Sequence, residues 1–272
     1  MGIPLISDKS EIVRIKTYVE GLDEVMQGGI PKGNVNLISG VSGTMKSSLA
    51  FTTLYYNSLE NKKNCVYLSL EQSYISLLNH MVNLDLDLSK INLIITTDIS
   101  KLESRAKEAK NSQKGNLFII DLAALRKEVK DTKAGERGNW LNVIRNVIKK
   151  IKQNIDLDLF VLDSMSALYV LSDFENPRVD LFHLFEYFRD QGITSFLISE
   201  MPLDRSKFGE FEIEDYLSDG IIFVERTEKY RKVVRSIAII KMRATKCDLD
   251  IYTLEFEGGK FKALYGGQPP LV

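Results

Sequence analysis

The sequence predicts an α/β protein with a mostly parallel central sheet flanked by helices and an antiparallel strand extension at its C-terminal end. From about residue 35 to residue 200, short β-branched and apolar runs alternate with longer stretches of helical period, as parallel strands joined by crossover helices do. After residue 219 strands follow one another without helices between them, which is the pattern of an antiparallel edge. The first strong strand also ends in a glycine-containing turn that opens directly into a helix.

In order, the predicted parallel strands are Val35 to Ser39, Cys65 to Leu70, Ile91 to Thr96, Leu117 to Leu122, Asp158 to Asp163 and Thr194 to Ser199. Each is a run of apolar and β-branched residues, which a strand buried on both faces requires. Trp140, Ile144, Val147, Ile148 and Ile151 fall on one face at a period of 3.6, so Asn139 to Asn154 reads as an amphipathic helix. Arg178 to Gln191 reads the same way, with Phe182, Phe185, Tyr187 and Phe188 expected to pack on the sheet. The extension is predicted as Gly220 to Glu225, Val234 to Met242, Ile251 to Phe256 and Lys260 to Leu264. The charged segment Arg126 to Arg137 is expected to be an exposed loop or helix end, and residues 265–272 a mobile tail.

The 272 residues carry 36 Lys+Arg against 37 Asp+Glu, for a formal net charge of -1, with 44% apolar residues. With no repeat and no Pro/Ser-rich linker, one domain with a core at about residues 17–264 is expected, and at this size it buries roughly 70 to 75% of its unfolded surface. The balance of charge argues against a protein that coats nucleic acid. Cys65 and Cys247 are far apart and the only histidines are His80 and His183, so neither a disulfide framework nor a structural zinc site is readable. Cys65 is expected in a strand core and Cys247 at a strand end or loop. The N-terminal stretch lacks the apolar core of a signal peptide, and no apolar run reaches bilayer length. A myristoylation pattern begun at Gly2 fails at Ile6. These features favour a reduced, cytoplasmic protein that does not insert into membranes.

The chemistry concentrates in Val35 to Ser48, where an apolar strand leads through a turn into Lys46 and Ser47. The spacing matches G-x-x-x-x-G-K-[ST] at Gly40, Lys46 and Ser47, with Met45 in the place of the second glycine. Successive backbone N–H groups of Gly40, Val41, Ser42, Gly43, Thr44, Met45, Lys46, Ser47 and Ser48 can surround a phosphate at the helix N-terminus. Lys46 can reach the outer phosphates and the Ser47 hydroxyl can ligate Mg²⁺. A non-glycine residue at Met45 costs on the order of 1 kcal/mol or shifts the loop. Two further strands end in acids: Asp163, suited to a Mg²⁺ shell, and Glu71, suited to polarise an attacking water.

With these residues in view, the chain resembles the RecA-superfamily ATPases of the KaiC-like group, most closely the single-domain archaeal KaiC-like proteins, from about Thr17 to Phe261. The resemblance is carried by Gly21-Leu22-Asp23-Glu24, Gly28-Gly29-Ile30-Pro31-Lys32-Gly33, Asp121-Leu122-Ala123, Asp163-Ser164-Met165-Ser166-Ala167-Leu168, Ser199-Glu200-Met201-Pro202, Ser218-Asp219-Gly220 and Lys241-Met242-Arg243. It implies a RecA-like P-loop fold, ATP with Mg²⁺, and a homo-oligomeric ring, with the hexamer as one candidate size, in which nucleotide sits between subunits. Lys46 and Ser47 then hold phosphate and metal, Asp163 supports the metal, and Glu71 is the general base. Lys241 and Arg243 match the basic pair that reaches the γ-phosphate of the adjacent subunit.

The chain departs from the family at Gln72, where a second glutamate is expected, at Ala244 in place of glycine and at Cys247 in place of histidine. Asp215 and Tyr216 fall near the position of the autophosphorylated Ser-Thr pair of clock KaiC, so no circadian autokinase activity is expected. Three functions follow from the resemblance: a slow Mg-dependent ATPase acting as a nucleotide switch toward a regulatory protein partner, a non-hydrolysing ATP-binding assembly module like the archaellum motor accessory, and a recombinase-like DNA-binding ATPase. The third is disfavoured because Ser172 to Asp180 carries three acids against one base, and Met201 to Asp219 carries Asp204, Glu210, Glu212, Glu214, Asp215 and Asp219 against Arg205 and Lys207.

Overall fold

The computed structural model describes residues 12–125, 140–172, 174, 176–201, 208–209, 213–229 and 231–265. A short ribbon of β1 (Arg14–Ile15) and β2 (Ile30–Pro31) brackets helix α1 (Leu22–Val25). The parallel strands are β3 (Val35–Gly40), β4 (Asn64–Ser69), β5 (Asn92–Thr96), β6 (Asn116–Asp121), β7 (Leu159–Asp163) and β8 (Thr194–Glu200). Between them run α2 (Lys46–Asn61), α3 (Tyr74–Asn83), α4 (Leu102–Ala109), α5 (Trp140–Lys152), α6 (Met165–Leu171) and α7 (Pro177–Asp190). Helix α8 (Ile213–Leu217) precedes β9 (Gly220–Lys229), β10 (Lys232–Met242), β11 (Ile251–Glu257) and β12 (Lys260–Tyr265).

One ten-stranded sheet has the order β12-β11-β10-β9-β3-β8-β7-β4-β6-β5. Strands from β5 across to β9 are parallel, and β10 to β12 turn antiparallel, as predicted. Because β3 and β4 are consecutive in the chain yet separated by β8 and β7, the loops after them face one another across the carboxyl ends of the central strands. Open α/β sheets place ligands in such crevices.

Each central strand is buried on both faces, and its residues alternate between two cores. Val66, Leu68, Phe160 and Leu162 face α4, α5, α6 and α7, whose contributions include Leu102, Ile144, Ile148, Leu168, Leu184 and Phe188. Cys65, Tyr67, Leu159 and Val161 face α1, α2 and α3, with Phe51, Leu54, Leu77 and Met81, and this second core continues onto β10, β11 and β12 through Ile237, Leu254 and Phe261. The opening signature has a local cause. The carboxylate of buried Asp23 accepts from Thr17 N at 2.8 Å, Thr17 Oγ1 at 2.7 Å and Tyr18 N at 3.1 Å. A Cβ on Gly21, which has φ 85, would sit 2.4 Å from the Ala263 carbonyl oxygen, so only glycine fits beside β12.

Predicted strand bounds hold to within a residue in the parallel half, and the β9–β10 hairpin is longer than predicted. Its outer part carries Arg226, Glu228, Arg231 and Lys232, all exposed, so it has no apolar alternation to read. Tyr265, assigned to the tail from sequence, is the last residue of β12 and pairs with Tyr252. On α7, Phe185 and Phe188 are buried and Tyr187 packs against the same core beneath the Arg145 guanidinium, as expected, but Phe182 is 46% exposed. Segment Arg126 to Arg137 and residues 266–272 lie outside the described residues, as do several acids and bases of the two loops weighed against nucleic acid.

Candidate functional site

Strand β3 ends at Gly40, and a Cβ there would lie 2.0 Å from the Val224 carbonyl oxygen of β9, so the loop can leave the sheet at this point only through glycine. Thr44 Oγ1 donates to Val41 O at 2.9 Å and closes the turn. Met45 takes φ 72 and ψ 27, the left-handed conformation that the motif normally assigns to glycine. The loop therefore keeps its course, and the substitution appears as backbone strain instead of a displaced loop. Met45 supplies no side-chain cap and the first turn of α2 holds no carboxylate, so the helix end keeps its positive field and amide donors.

Ser42 through Ser48 line a cavity of about 400 Å³ together with Glu71 and Asp163. Of the predicted loop, Gly40 and Val41 stay outside its wall; their carbonyl oxygens accept from Lys46 Nζ at 2.8 and 3.0 Å. Burial pushes the Lys46 ammonium pKa down, while Glu200, then Asp163 and Glu71, oppose that shift. Asp163, 2% exposed, accepts from the Tyr67 hydroxyl and hydrogen-bonds to Ser47. Burial raises its carboxyl pKa against those two hydrogen bonds. Glu71 lies two residues beyond β4 and accepts from the Ser164 hydroxyl. The cavity thus sets one ammonium and a helix N-terminus against three strand-end carboxylates, with two adjacent oxygen donors, Ser47 and Asp163, of the kind a hard cation takes.

Lys241 and Arg243 are not in this cavity. Pairing of Met242 with Gly220, and of Gly220 with Asn36, puts them at the opposite end of β3, four residues or about 13 Å below Gly40. Lys241 Nζ donates to the Asp215 carbonyl, and Arg243 Nη1 donates to Asp219 at 2.7 Å. Burial, then the neighbouring Arg243, lowers the Lys241 pKa. Ala244 takes φ 57, a left-handed backbone that favours glycine.

Several residues that line the cavity or stand over its loop are not among the site residues expected from sequence. Glu200 is in register with Gly40 at the end of β8, and the signal was present: it is a strand-end acid like Asp163. His80 Nε2 lies 3.1 Å from Ser48 Oγ, and Arg226 stands over the loop, with Nη1 3.1 Å from a Cβ built on Gly43. Neither carries a sequence signal, because α3 and the hairpin bring them in from other parts of the fold. Cys65 is buried and its thiol is pushed up to about 12 by desolvation, so it is a core residue as expected. Cys247 is half-buried in the loop after β10.

A strand, a glycine-gated loop and a Lys-Ser helix start, faced by strand-end carboxylates at the carboxyl edge of a parallel sheet, define a P-loop nucleotide-binding domain of the RecA-like kind. Residues 15–261 match the family model described as the KaiC ATPase, and the chain belongs to that family. A UPF0273 protein of Sulfurisphaera tokodaii is 27% identical over 244 residues, 88% of this chain and 78% of that protein. One from Saccharolobus solfataricus is 30% identical over 241 residues, 87% and 77% of the two chains. The circadian clock oscillator protein KaiC of Acaryochloris marina is 25% identical over 239 residues; these cover 88% of this chain but 41% of that protein. The crystal structure of a KaiC-like protein from Pyrococcus horikoshii superposes with a TM-score of 0.70 at 24% identity, covering 93% of this chain and all of that one. Among the described residues, no helix is long and apolar enough to cross a membrane.

Proposed function

We propose that this protein is a slow Mg-dependent ATPase that works as an oligomeric nucleotide switch, a single KaiC-like domain in the cytoplasm signalling to another protein. One observation carries the reading: Lys46, Ser47, Glu71 and Asp163 meet in one cavity, while Lys241 and Arg243 lie at the far end of the same subunit. A site complete except for its outer cation is the half-site expected where neighbours in a ring share nucleotide. Lys46 and the amides of residues 42–48 hold the phosphates. Ser47 and Asp163 would hold Mg²⁺, which when bound neutralises charge on the phosphate oxygens. Glu71, fixed by Ser164, orients the attacking water, and Arg243 of the next subunit stabilises charge on the transferring phosphoryl group. Autokinase activity is no part of this reading, since the position of the phosphorylated pair falls near Asp215 and Tyr216.

The test is phosphate release with Mg-ATP on the wild type, Lys46→Ala, Glu71→Gln and Arg243→Ala, with particle mass followed by light scattering. Each variant should lose turnover, and mixing Arg243→Ala with Glu71→Gln subunits should restore it, because one supplies an intact pocket and the other an intact arginine. ATP binding without phosphate release above the Lys46→Ala background would leave instead an ATP-dependent assembly module. A salt-sensitive shift of single-stranded DNA would favour the recombinase-like reading.

A further inference from the structure

We infer that Asp219 is the positioning residue for Arg243, a carboxylate clamp that sets the reach of the arginine toward the neighbouring subunit. This rests on the proposal that Arg243 acts across the subunit interface. Asp219 sits at the turn between α8 and β9 with its side chain 9% exposed, and it gathers three parts of the fold. Its Oδ2 accepts from Val35 N at 2.9 Å and from Arg189 Nε at 3.0 Å; its Oδ1 accepts from Arg189 Nη2 at 3.2 Å and from Arg243 Nη1 at 2.7 Å. The main chain repeats the clamp, with Asp219 N donating to Val35 O and Arg243 N donating to Asp219 O, both at 2.7 Å.

The exposure of Arg243 explains why such a clamp positions it and does not silence it. Arg189 and Arg243 share the Asp219 carboxylate, and Arg189 also pairs with Glu186 at 2.6 Å, so two guanidinium groups face two carboxylates. Lys241 adds a third cation whose Nζ meets a main-chain carbonyl, that of Asp215. The Arg243 side chain is 55% exposed: one edge is fixed by Asp219, and Nη2 reaches the Tyr216 carbonyl at 3.2 Å. A bidentate-capable guanidinium held along one edge presents its outer face in a single orientation, and a long side chain free of that hold would sample many. Val35 is also the first residue of the strand that ends in the phosphate loop, so the arginine and its own subunit's loop are mounted on one element.

Asp219→Asn, made in the full chain, keeps the shape and removes the charge. Turnover should fall about tenfold to a hundredfold, the scale of a misplaced catalytic group, with the affinity for Mg-ATP unchanged. Mixing with Glu71→Gln subunits should restore it, as for Arg243→Ala, because the defect lies only in the arginine donated to a neighbour. Turnover equal to wild type, or a loss that Glu71→Gln subunits fail to restore, would overturn the inference. If Asp219→Asn does not fold, Arg189→Gln decides: it loosens the same carboxylate by removing its second guanidinium, and its turnover should fall and be restored in the same mixing experiment. Wild-type turnover there overturns the clamp. Arg243→Ala that turns over like wild type instead refutes the interface reading itself.

Discussion

Met45 holds a left-handed backbone with φ 72 at the N-terminus of α2, and its side chain packs against the core that α2 shares with the sheet. Met45→Gly should therefore change the Mg-ATP dissociation constant by less than about threefold and stability by at most about 1 kcal/mol, since relieved strain offsets added chain entropy. Lys46→Ala, in contrast, removes a charge-assisted contact and should weaken binding by tenfold or more, as titration calorimetry would show. Asp163 makes a different prediction. Burial raises its pKa, so the folded state binds more protons than the unfolded chain between the ordinary aspartate range and the raised value. Stability of the nucleotide-free protein on this account falls as pH rises through that window. Asp163→Asn should thus melt higher than wild type near neutral pH, with the gap shrinking toward pH 4, and should lose the melting gain that Mg-ATP confers. At this scale the sequence was most legible where chemistry repeats a spacing, as at Gly40, Lys46 and Ser47. It was silent at Tyr67, whose hydroxyl reaches Asp163 from within an apolar strand, and it marked Asp219 only as part of a motif, because its partners come from positions 35, 189 and 243.

Strands buried on both faces announce themselves as uninterrupted apolar runs, which is why β3 to β8 could be placed within a residue. Helix α5 was equally plain, because Trp140, Ile144, Val147, Ile148 and Ile151 all face one core. Ile148 is fully buried there, so Ile148→Ala should cost about 2 to 5 kcal/mol, visible as a lowered melting temperature. Because that core lies on the sheet face opposite α2, nucleotide affinity measured well below the melting point should not change. Short elements were harder to see. The β1–β2 ribbon is two residues per strand, too short for any periodicity, and it exists because Arg14 Nη1 reaches Gly29 O at 3.0 Å and Thr245 Oγ1 at 2.8 Å. Lys62, Lys110 and Lys152, at the ends of α2, α4 and α5, gather around a cavity of about 470 Å³ at the amino ends of β4 and β6. There they meet the negative ends of three helices.

For the molecule as a whole, the separation of the cavity from Lys241 and Arg243 predicts that activity depends on association. Glu71→Gln with Mg-ATP should trap assemblies at multiples of the 30.9 kDa chain, and dilution below the assembly range should reduce turnover per subunit in the wild type. Turnover per subunit that is independent of concentration down to monomeric particles would refute the shared site. The topology was legible only as far as fold class. The order β9-β3-β8-β7-β4 depends on which crossovers pass beneath which strands, and no local pattern encodes that.

Strand β3 is hydrogen-bonded on both sides, to β8 and β9, and all six of its residues are buried. Its amide protons should thus be among the last to exchange with deuterated solvent, opening only with global unfolding, while the edge strands β5 and β12 exchange through smaller fluctuations. The phosphate loop is therefore rooted in the slowest-breathing part of the protein. Ligand capture need not recruit order from a fluctuating scaffold, and mobility during a working cycle is left to the helices and hairpin around the loop.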